Sequence, residues 1–262
     1  MSTAPIGVFD SGIGGLSILH GIRTLSPNEA LIYVSDAAHA PYGPKGEDFI
    51  RQRSVHLMDA LIARGAKAIV VACNTATAAA IALLRERYPL PIIGVEPAVK
   101  PAAAQSRSGV VGVLATSGTI ASDKFLTLQN RFSDRVRILT RAGTGLVELI
   151  ERPDSEERVL MTLLHSYIEP MVEQGADALV LGCTHYSLIK RQIAAVADSR
   201  MKIIDAGTAV AEELQRRLAA GGLASNAIGK GKVEFFTSGE PAVLRRLLAR
   251  YWSEPADVTA LV

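Results

Sequence analysis

The sequence predicts an α/β protein made of two similar parallel-sheet domains, related by pseudo-twofold symmetry, with a cleft between them. Short runs rich in Val, Ile and Leu alternate with helix-length amphipathic segments, and this alternation is typical of parallel sheets. The 262 residues exceed the usual length of one domain and fit two of about 100–150 residues each. The third observation is that one half of the sequence repeats the other.

The repeat ends in the only two cysteines of the chain, Cys73 and Cys183. A weaker echo lies upstream, where residues 6–11 resemble residues 111–116 at an offset of 105. Each half therefore opens with a similar strand and turn, and the two thiols occupy equivalent places. The matching residues are Gly65, Ala66, Ala68 and Val70 in the first copy and Gly175, Ala176, Ala178 and Val180 in the second, all at an offset of 110.

The elements follow from the same patterns. Strands are predicted at 4–9, 30–35, 67–72, 91–95, 109–115, 135–140, 177–182, 201–205 and 232–237, because these apolar runs are too short to be helices. Helices are predicted at 16–26, 46–64, 76–88, 97–106, 119–132, 145–150, 155–175, 187–197, 208–220 and 240–251.

The chain is expected to cross between domains twice, near 97–101 and near 206–208. The first domain then comprises residues 1–97 with 208–262, on the Cys73 side. The second comprises residues 98–207, on the Cys183 side.

Composition excludes several classes of protein. The net charge is +2, and no Lys/Arg cluster or aromatic stacking array marks a nucleic-acid surface. The most membrane-like segment, 68–84, contains Asn74, Thr75 and Thr77 and falls short of the roughly 20 apolar residues of a spanning helix. Residues 1–5 lack the basic and apolar regions of a signal peptide, so we expect a cytoplasmic protein with no nucleic-acid or membrane partner.

Two cysteines make no disulfide framework, and Cys183 with His185 supplies too few ligands for zinc, so no metal site is predicted. The glycine-rich loop at 10–15 misses the dinucleotide fingerprint, because Ser17 occupies the last glycine position, and it lacks the P-loop lysine. Gly14 and Gly15 serve either a tight turn or ligand contact, and the sequence leaves both roles open.

Polar clusters follow the predicted strands, at the sheet edge where open α/β sheets bind ligands. Two thiols that face each other across such a cleft can act as base and acid on opposite faces of one carbon, which is what inversion of a stereocentre requires. Cap-forming side chains and backbone N–H groups after each cysteine suit a carboxylate ligand. Asp10 and His185 are placed to bind the substrate ammonium group or to orient the nearby thiols.

An ordered set of motifs resembles the glutamate racemases of the aspartate/glutamate racemase family over almost the whole chain. The motifs are Gly7-Val8-Phe9-Asp10-Ser11-Gly12-Ile13-Gly14-Gly15, Asp36 through Pro41-Tyr42-Gly43, Ala72-Cys73-Asn74-Thr75-Ala76, Gly94-Val95-Glu96-Pro97 and Gly182-Cys183-Thr184-His185-Tyr186. The resemblance implies cofactor-independent interconversion of L- and D-glutamate. It also implies supply of D-glutamate for peptidoglycan in the bacterial cytoplasm, and a homodimer.

The resemblance also implies roles for individual residues. Cys73 would take the proton from D-glutamate and Cys183 from L-glutamate, with Asp10, Glu151 and His185 assisting. Asp36 is a weaker candidate for assistance, and Thr116 and Thr119 for substrate contact. The substrate-binding residues would be Asp10, Ser11, Tyr42, Gly43, Asn74, Thr75, Thr184 and His185.

Three positions depart from the family pattern. Thr77 stands where serine is common, Ser187 where proline is frequent, and Gly143-Thr144 where Cys-Pro often precedes the Gly-Leu-Val run, a change that bears on the loop leading to Glu151. Three other functions stay open at this stage: a racemase of another amino acid such as aspartate, a cysteine hydrolase with His185 as base, and a non-catalytic small-molecule binding protein.

Overall fold

The structure, a computed structural model, describes residues 2–261, so the terminal residues of the predicted first domain, Met1 and Val262, lie outside it. Its strands are β1 (Ile6–Asp10), β2 (Leu31–Ser35), β3 (Ala68–Val71), β4 (Ile92–Gly94), β5 (Val110–Ala115), β6 (Arg137–Ala142), β7 (Ala178–Gly182), β8 (Lys202–Ile204), β9 (Val233–Thr237) and β10 (Val258–Ala260). They form two parallel sheets, ordered β10-β9-β2-β1-β3-β4 and β6-β5-β7-β8. The predicted fold class is confirmed.

Twelve α-helices connect the strands within the described part of the chain. They are α1 (Leu16–Leu25), α2 (Glu47–Ala63), α3 (Asn74–Arg87), α4 (Val99–Gln105), α5 (Ser117–Ile120), α6 (Asp123–Phe132), α7 (Leu146–Ile150), α8 (Glu157–Glu173), α9 (Thr184–Leu188), α10 (Lys190–Ala197), α11 (Gly207–Ala220) and α12 (Pro241–Tyr251). A 3₁₀ turn, Ala37–His39, follows β2. No helix within residues 2–261 is long and apolar enough to cross a membrane.

The duplication is visible in the strand order and in the register. The order β2-β1-β3-β4 in the first sheet matches β6-β5-β7-β8 in the second. Ile6 pairs with Ala68, and Val111 pairs with Ala178, so the sequence offsets of 105 and 110 connect the same two positions of each sheet. Gly65 and Gly175 both have positive φ (81° and 87°) after α2 and α8, where the absence of a Cβ lets the chain turn into the central strand.

The C-terminal segment joins the first sheet through β9 and β10. Helix α11 packs on α1 so closely that a Cβ on Gly21 would lie 2.9 Å from the Gly207 carbonyl oxygen. One apolar core runs from α1 through α9 and α11, with Leu16, Tyr186 and Leu214 fully buried in it. The two halves are therefore packed against each other, and the exact boundaries 97/98 and 207/208 stay a prediction.

Three details differ from the prediction. Strand β10 is absent from it, since only Val258 of this edge strand is buried and the pattern is weak. The helix predicted at 119–132 is two helices, because Ser122 caps α6 by accepting a hydrogen bond from the Phe125 N–H. A short helix, α9, begins at Thr184, ahead of the predicted start at 187.

Candidate active site

Both cysteines stand at the end of a central strand and at the start of a helix. Cys73 follows β3 and caps α3, and Cys183 follows β7 and precedes α9, each with an extended backbone. The exposed fractions are 5% for Cys73 and 6% for Cys183, and neither forms a disulfide. Equivalent positions in the two sheets therefore place the two thiols in equivalent local structure.

The two thiols line one narrow cleft between the sheets. Most predicted substrate-binding residues lie here as well. The lining residues are Ser11, Pro41, Tyr42, Gly43, Cys73, Asn74, Thr75, Thr116, Val147, Cys183, Thr184 and His185. Pro41 and Val147 were not among the predicted site residues: Pro41 lies inside a quoted motif, whereas Val147 carries no sequence signal beyond helix periodicity.

Cys73 lies beside Asp10 and Ser11. Its Sγ accepts a hydrogen bond from the Ala76 N–H at 3.4 Å and lies 3.7 Å from the Ser11 hydroxyl oxygen, to which the thiol donates. Burial raises the pKa of the Cys73 thiol, and the negative charge of Asp10 raises it further. Cys73 is thus protonated at neutral pH.

Asp10 is a fully buried carboxylate at the end of β1. Its Oδ2 accepts hydrogen bonds from the N–H groups of Gly12 (3.3 Å) and Gly15 (2.9 Å), while Oδ1 has no partner among the described residues. Burial raises its pKa, against the opposing charge of His185. Asp10 therefore lies within electrostatic reach of both Cys73 and His185, although it is not among the residues that line the cleft. Its contact with substrate stays a prediction.

The second thiol has a different companion. His185 Nδ1 lies 3.8 Å from Cys183 Sγ, and its Nε2 lies 2.5 Å from Oε1 of Glu151. Burial lowers the pKa of His185, but hydrogen bonds to Cys183 and Glu151 and the charge of Asp10 outweigh it and hold the pKa well above 6.5. A protonated His185 donates from both ring nitrogens, so it stabilises negative charge on Cys183.

The glycine-rich loop makes room for this histidine and its carboxylate. A Cβ on Gly12 would collide with the Glu151 carboxylate, and one on Gly14 would lie 2.6 Å from the His185 backbone nitrogen and still closer to its ring. Gly15 faces Asp10 instead, at 2.8 Å. Gly14 and Gly15 thus leave room for the side chains of His185 and Asp10, a third role beside the tight turn and the ligand contact that the sequence left open.

Three threonine hydroxyls join the halves at the rim of the cleft. Thr75, on α3, lies 2.9 Å from Thr116 Oγ1 and 3.3 Å from Thr119 Oγ1. Thr116 caps α5 by accepting from the Thr119 N–H. These hydroxyls are hydrogen-bonded to one another. Thr116 borders the cleft, whereas Thr119 does not.

Comparison with known proteins places this arrangement in a family. The family model for Asp/Glu/hydantoin racemases matches residues 8–214. The chain belongs to that family. It is 50% identical over 98% of its length to a glutamate racemase of Pseudomonas putida (strain GB-1), covering 97% of that protein.

Solved structures of family members have the same architecture. A glutamate racemase isoform of Bacillus anthracis superposes with a TM-score of 0.89 at 28% identity, covering 100% of this chain and 98% of that one. Glutamate racemase of Escherichia coli, solved in complex with L-glutamate and the activator UDP-MurNAc-Ala, gives a TM-score of 0.85 at 33% identity and 99% coverage of both chains.

The departures from the family pattern have local explanations at two positions. The Thr77 hydroxyl donates to the Val71 carbonyl and accepts from the Val95 N–H, and its methyl group packs where a Cβ on Gly94 would lie. At Gly143 a Cβ would meet the hydroxyl of buried Tyr186, which donates to the Gly143 carbonyl at 3.1 Å. Nothing in the structure explains Ser187. Glu151 still reaches His185, so the altered loop does not displace it.

Asp36, the weaker candidate, does not line the cleft. It is fully buried and binds Arg53, Tyr42 and His39. Burial raises its pKa, but hydrogen bonds from Arg53 and Tyr42 outweigh it and hold the pKa below 3.8. Arg53 itself was missed, because a lone arginine in an amphipathic helix carries no sequence signal.

Within residues 2–261, no group of three or more His, Cys, Asp or Glu side chains is arranged to hold a metal ion.

Proposed function

We propose that this protein interconverts L- and D-glutamate by proton transfer at the α-carbon, with Cys73 and Cys183 as the two acid–base groups and no cofactor. The observation that carries the proposal is the pair of equivalent thiols on one cleft, contributed by opposite halves of the chain. The high identity to glutamate racemases over nearly the whole chain supports glutamate as the substrate.

The proposed cycle from L-glutamate starts with Cys73 as the thiol and Cys183 as the thiolate. Cys73 holds its proton because burial and Asp10 raise its pKa, whereas Cys183 lies against the imidazolium of His185. Cys183 as the thiolate can take the α-proton of L-glutamate, leaving a carbanion that the Cys73 thiol protonates on the other face. The product is D-glutamate with the thiol and thiolate exchanged, and proton exchange with solvent restores the starting state.

The substrate carboxylates have partners in the cleft. The N–H groups of Asn74 and Thr75 open the 14-residue helix α3, whose N-terminus favours an anion. Thr184 and the loop of Tyr42 and Gly43 border the same space. We infer that these groups orient the substrate, while the negative charge of the buried Asp10 attracts its ammonium group.

The first experiment is ¹H NMR of L-glutamate and, separately, D-glutamate with the purified protein in D₂O without added cofactor. Loss of the α-proton with appearance of the opposite enantiomer supports the proposal. Exchange with aspartate alone would indicate a racemase of that amino acid. Silence with both amino acids would favour a binding protein, and a covalent acyl adduct on one thiol would favour a cysteine hydrolase.

Three further proposals follow the family. The protein acts in the cytoplasm as a homodimer, and its D-glutamate supplies peptidoglycan synthesis. Light scattering after gel filtration gives the oligomeric state, and cell fractionation the location. Growth that depends on added D-glutamate after deletion of the gene tests the role in the cell wall.

A further inference from the structure

A buried polar network lies behind the cleft in the first half. Asp36 is fully buried. The guanidinium of Arg53, on α2, binds its carboxylate in bidentate fashion: Nε donates to Oδ2 at 3.0 Å and Nη2 donates to Oδ1 at 2.8 Å. His39 Nδ1 lies 3.0 Å from Oδ1, and the Tyr42 hydroxyl donates to Oδ2 at 2.5 Å. Ser238 is a further hydrogen-bond partner of Asp36. These contacts occupy the roughly four lone-pair positions of a carboxylate, so Asp36 has none left for a thiol or a substrate.

The network ends at the cleft. Tyr42 is 1% exposed, and it borders the cleft with Gly43. On the far side the Gly43 carbonyl meets the second half: Ser117 Oγ donates to it at 3.4 Å, and a Cβ on Gly118 would lie 2.7 Å from it. The Tyr42–Gly43 loop is therefore fixed from behind by Asp36 and fits tightly against α5 in front.

We propose that Arg53 is a positioning residue that holds the Tyr42–Gly43 loop in its substrate-binding place, acting through Asp36; the inference rests on the proposed function. A bidentate guanidinium fixes the plane of the carboxylate, and that plane aims Oδ2 at the Tyr42 hydroxyl. Arg53 does not itself line the cleft, and it reaches the cleft through Asp36 and through the Tyr42 hydroxyl. Its loss weakens glutamate binding more than it slows proton transfer between the thiols.

The test compares Arg53→Met with Arg51→Met, a matched control two residues away on α2. Arg51 binds Glu47 and the Ala79 carbonyl and has a 43% exposed side chain, so its removal takes the same charge from the same helix. We expect KM for glutamate to rise about tenfold in Arg53→Met with a smaller change in kcat, the pattern of lost binding rather than lost chemistry. Arg53→Lys keeps the charge but cannot form the bidentate contact, so its KM should lie between those of the wild type and Arg53→Met. It replaces Arg53→Met in the test if that variant fails to fold.

A double-mutant cycle tests the path of the effect. Tyr42→Phe removes only the hydroxyl that Asp36 accepts, so Arg53→Met should raise KM little further in that background. If Arg53→Met and Tyr42→Phe each raised KM about tenfold and the double variant raised it by the product of the two, the proposed path would be overturned. An unchanged KM in a folded Arg53→Met protein would overturn the inference altogether.

A second readout does not depend on activity. Hydrogen exchange of the peptide covering residues 37–46 should be faster in Arg53→Met and unchanged in Arg51→Met, because the loop loses its anchor. If the wild-type protein fails to racemise glutamate, the proposed function is wrong, and this exchange still decides whether Arg53 holds the loop. Equal protection in wild type and Arg53→Met would contradict that role.

Discussion

The carboxylate of Glu151, which follows α7 in the second half, accepts a hydrogen bond from the Ile13 backbone N–H in the glycine-rich loop of the first half, at 2.6 Å. The same oxygen, Oε1, lies 2.5 Å from His185 Nε2. One oxygen thus joins the loop after β1 to the histidine that faces Cys183. The hydrogen-bonded pair of His185 and Glu151 beside Cys183 therefore depends on contact between the two halves of the chain.

Gly14→Ala tests this docking. A methyl group there would collide with His185, so we expect the histidine to move by about an ångström and kcat to fall about 10²-fold. The matched control is Gly46→Ala, since a Cβ at Gly46 has no atom within 4 Å and its φ is −67°. The racemisation rate and the unfolding midpoint are measured for both variants and for the wild type. Normal activity in Gly14→Ala would show that the loop is not fitted to His185.

Replacement of each thiol separately tests the two-base scheme. Cys73→Ser and Cys183→Ser should each lower racemisation by about 10²–10⁴-fold, the usual contribution of a positioned acid or base. Glutamate binding, measured by calorimetry, should largely survive because the proposed substrate contacts come from residues other than the two thiols. A variant with wild-type turnover would remove its cysteine from the mechanism.

The sequence predicted the fold and both thiols because the duplication is carried by local patterns. The offsets of 105 and 110 anticipate the register of the two central strand pairs, and each cysteine follows a strand whose pattern is clear. The roles of Gly12, Gly14 and Arg53 could not be predicted, since each depends on a partner distant in the chain or on side-chain geometry. Gly12 is separated by 139 positions from the Glu151 carboxylate it admits. The partner of Asp36 could not be predicted for the same reason, because the sequence pattern of a carboxylate after a strand is the same whether the carboxylate faces a thiol or an arginine.

Asp10→Asn tests the cause of the raised pKa of Cys73. In a Cys183→Ser background Cys73 is the only thiol, so its alkylation rate reports its thiolate fraction. Burial remains, but the negative charge is gone, so the pKa falls and alkylation at pH 8–9 becomes faster. Asparagine can still accept from the Gly12 and Gly15 N–H groups. Asp134→Asn, at an exposed site, is the control, and equal or slower alkylation in Asp10→Asn would exclude Asp10 as the cause.

Asp36→Asn tests the stability that the Arg53 ion pair contributes. The pKa of Asp36 is lowered in the folded protein, so its stabilisation is fully present above the ordinary pKa of 3.8 and is lost as pH falls through the lower folded value. Breaking a buried pair costs about 3 kcal/mol, so the wild type should exceed Asp36→Asn by about that much at pH 5–7.

That difference in the free energy of unfolding should shrink below pH 4, as the wild-type carboxylate takes up its proton and the variant has none to take up. Denaturant titrations between pH 2.5 and 7 measure it. Asp48→Asn, on the same helix as Arg53 but with a 92% exposed side chain, should match the wild type throughout. A difference between wild type and Asp36→Asn that stays constant down to pH 2.5 would show that hydrogen-bond geometry, rather than the charge on Asp36, supplies the stabilisation.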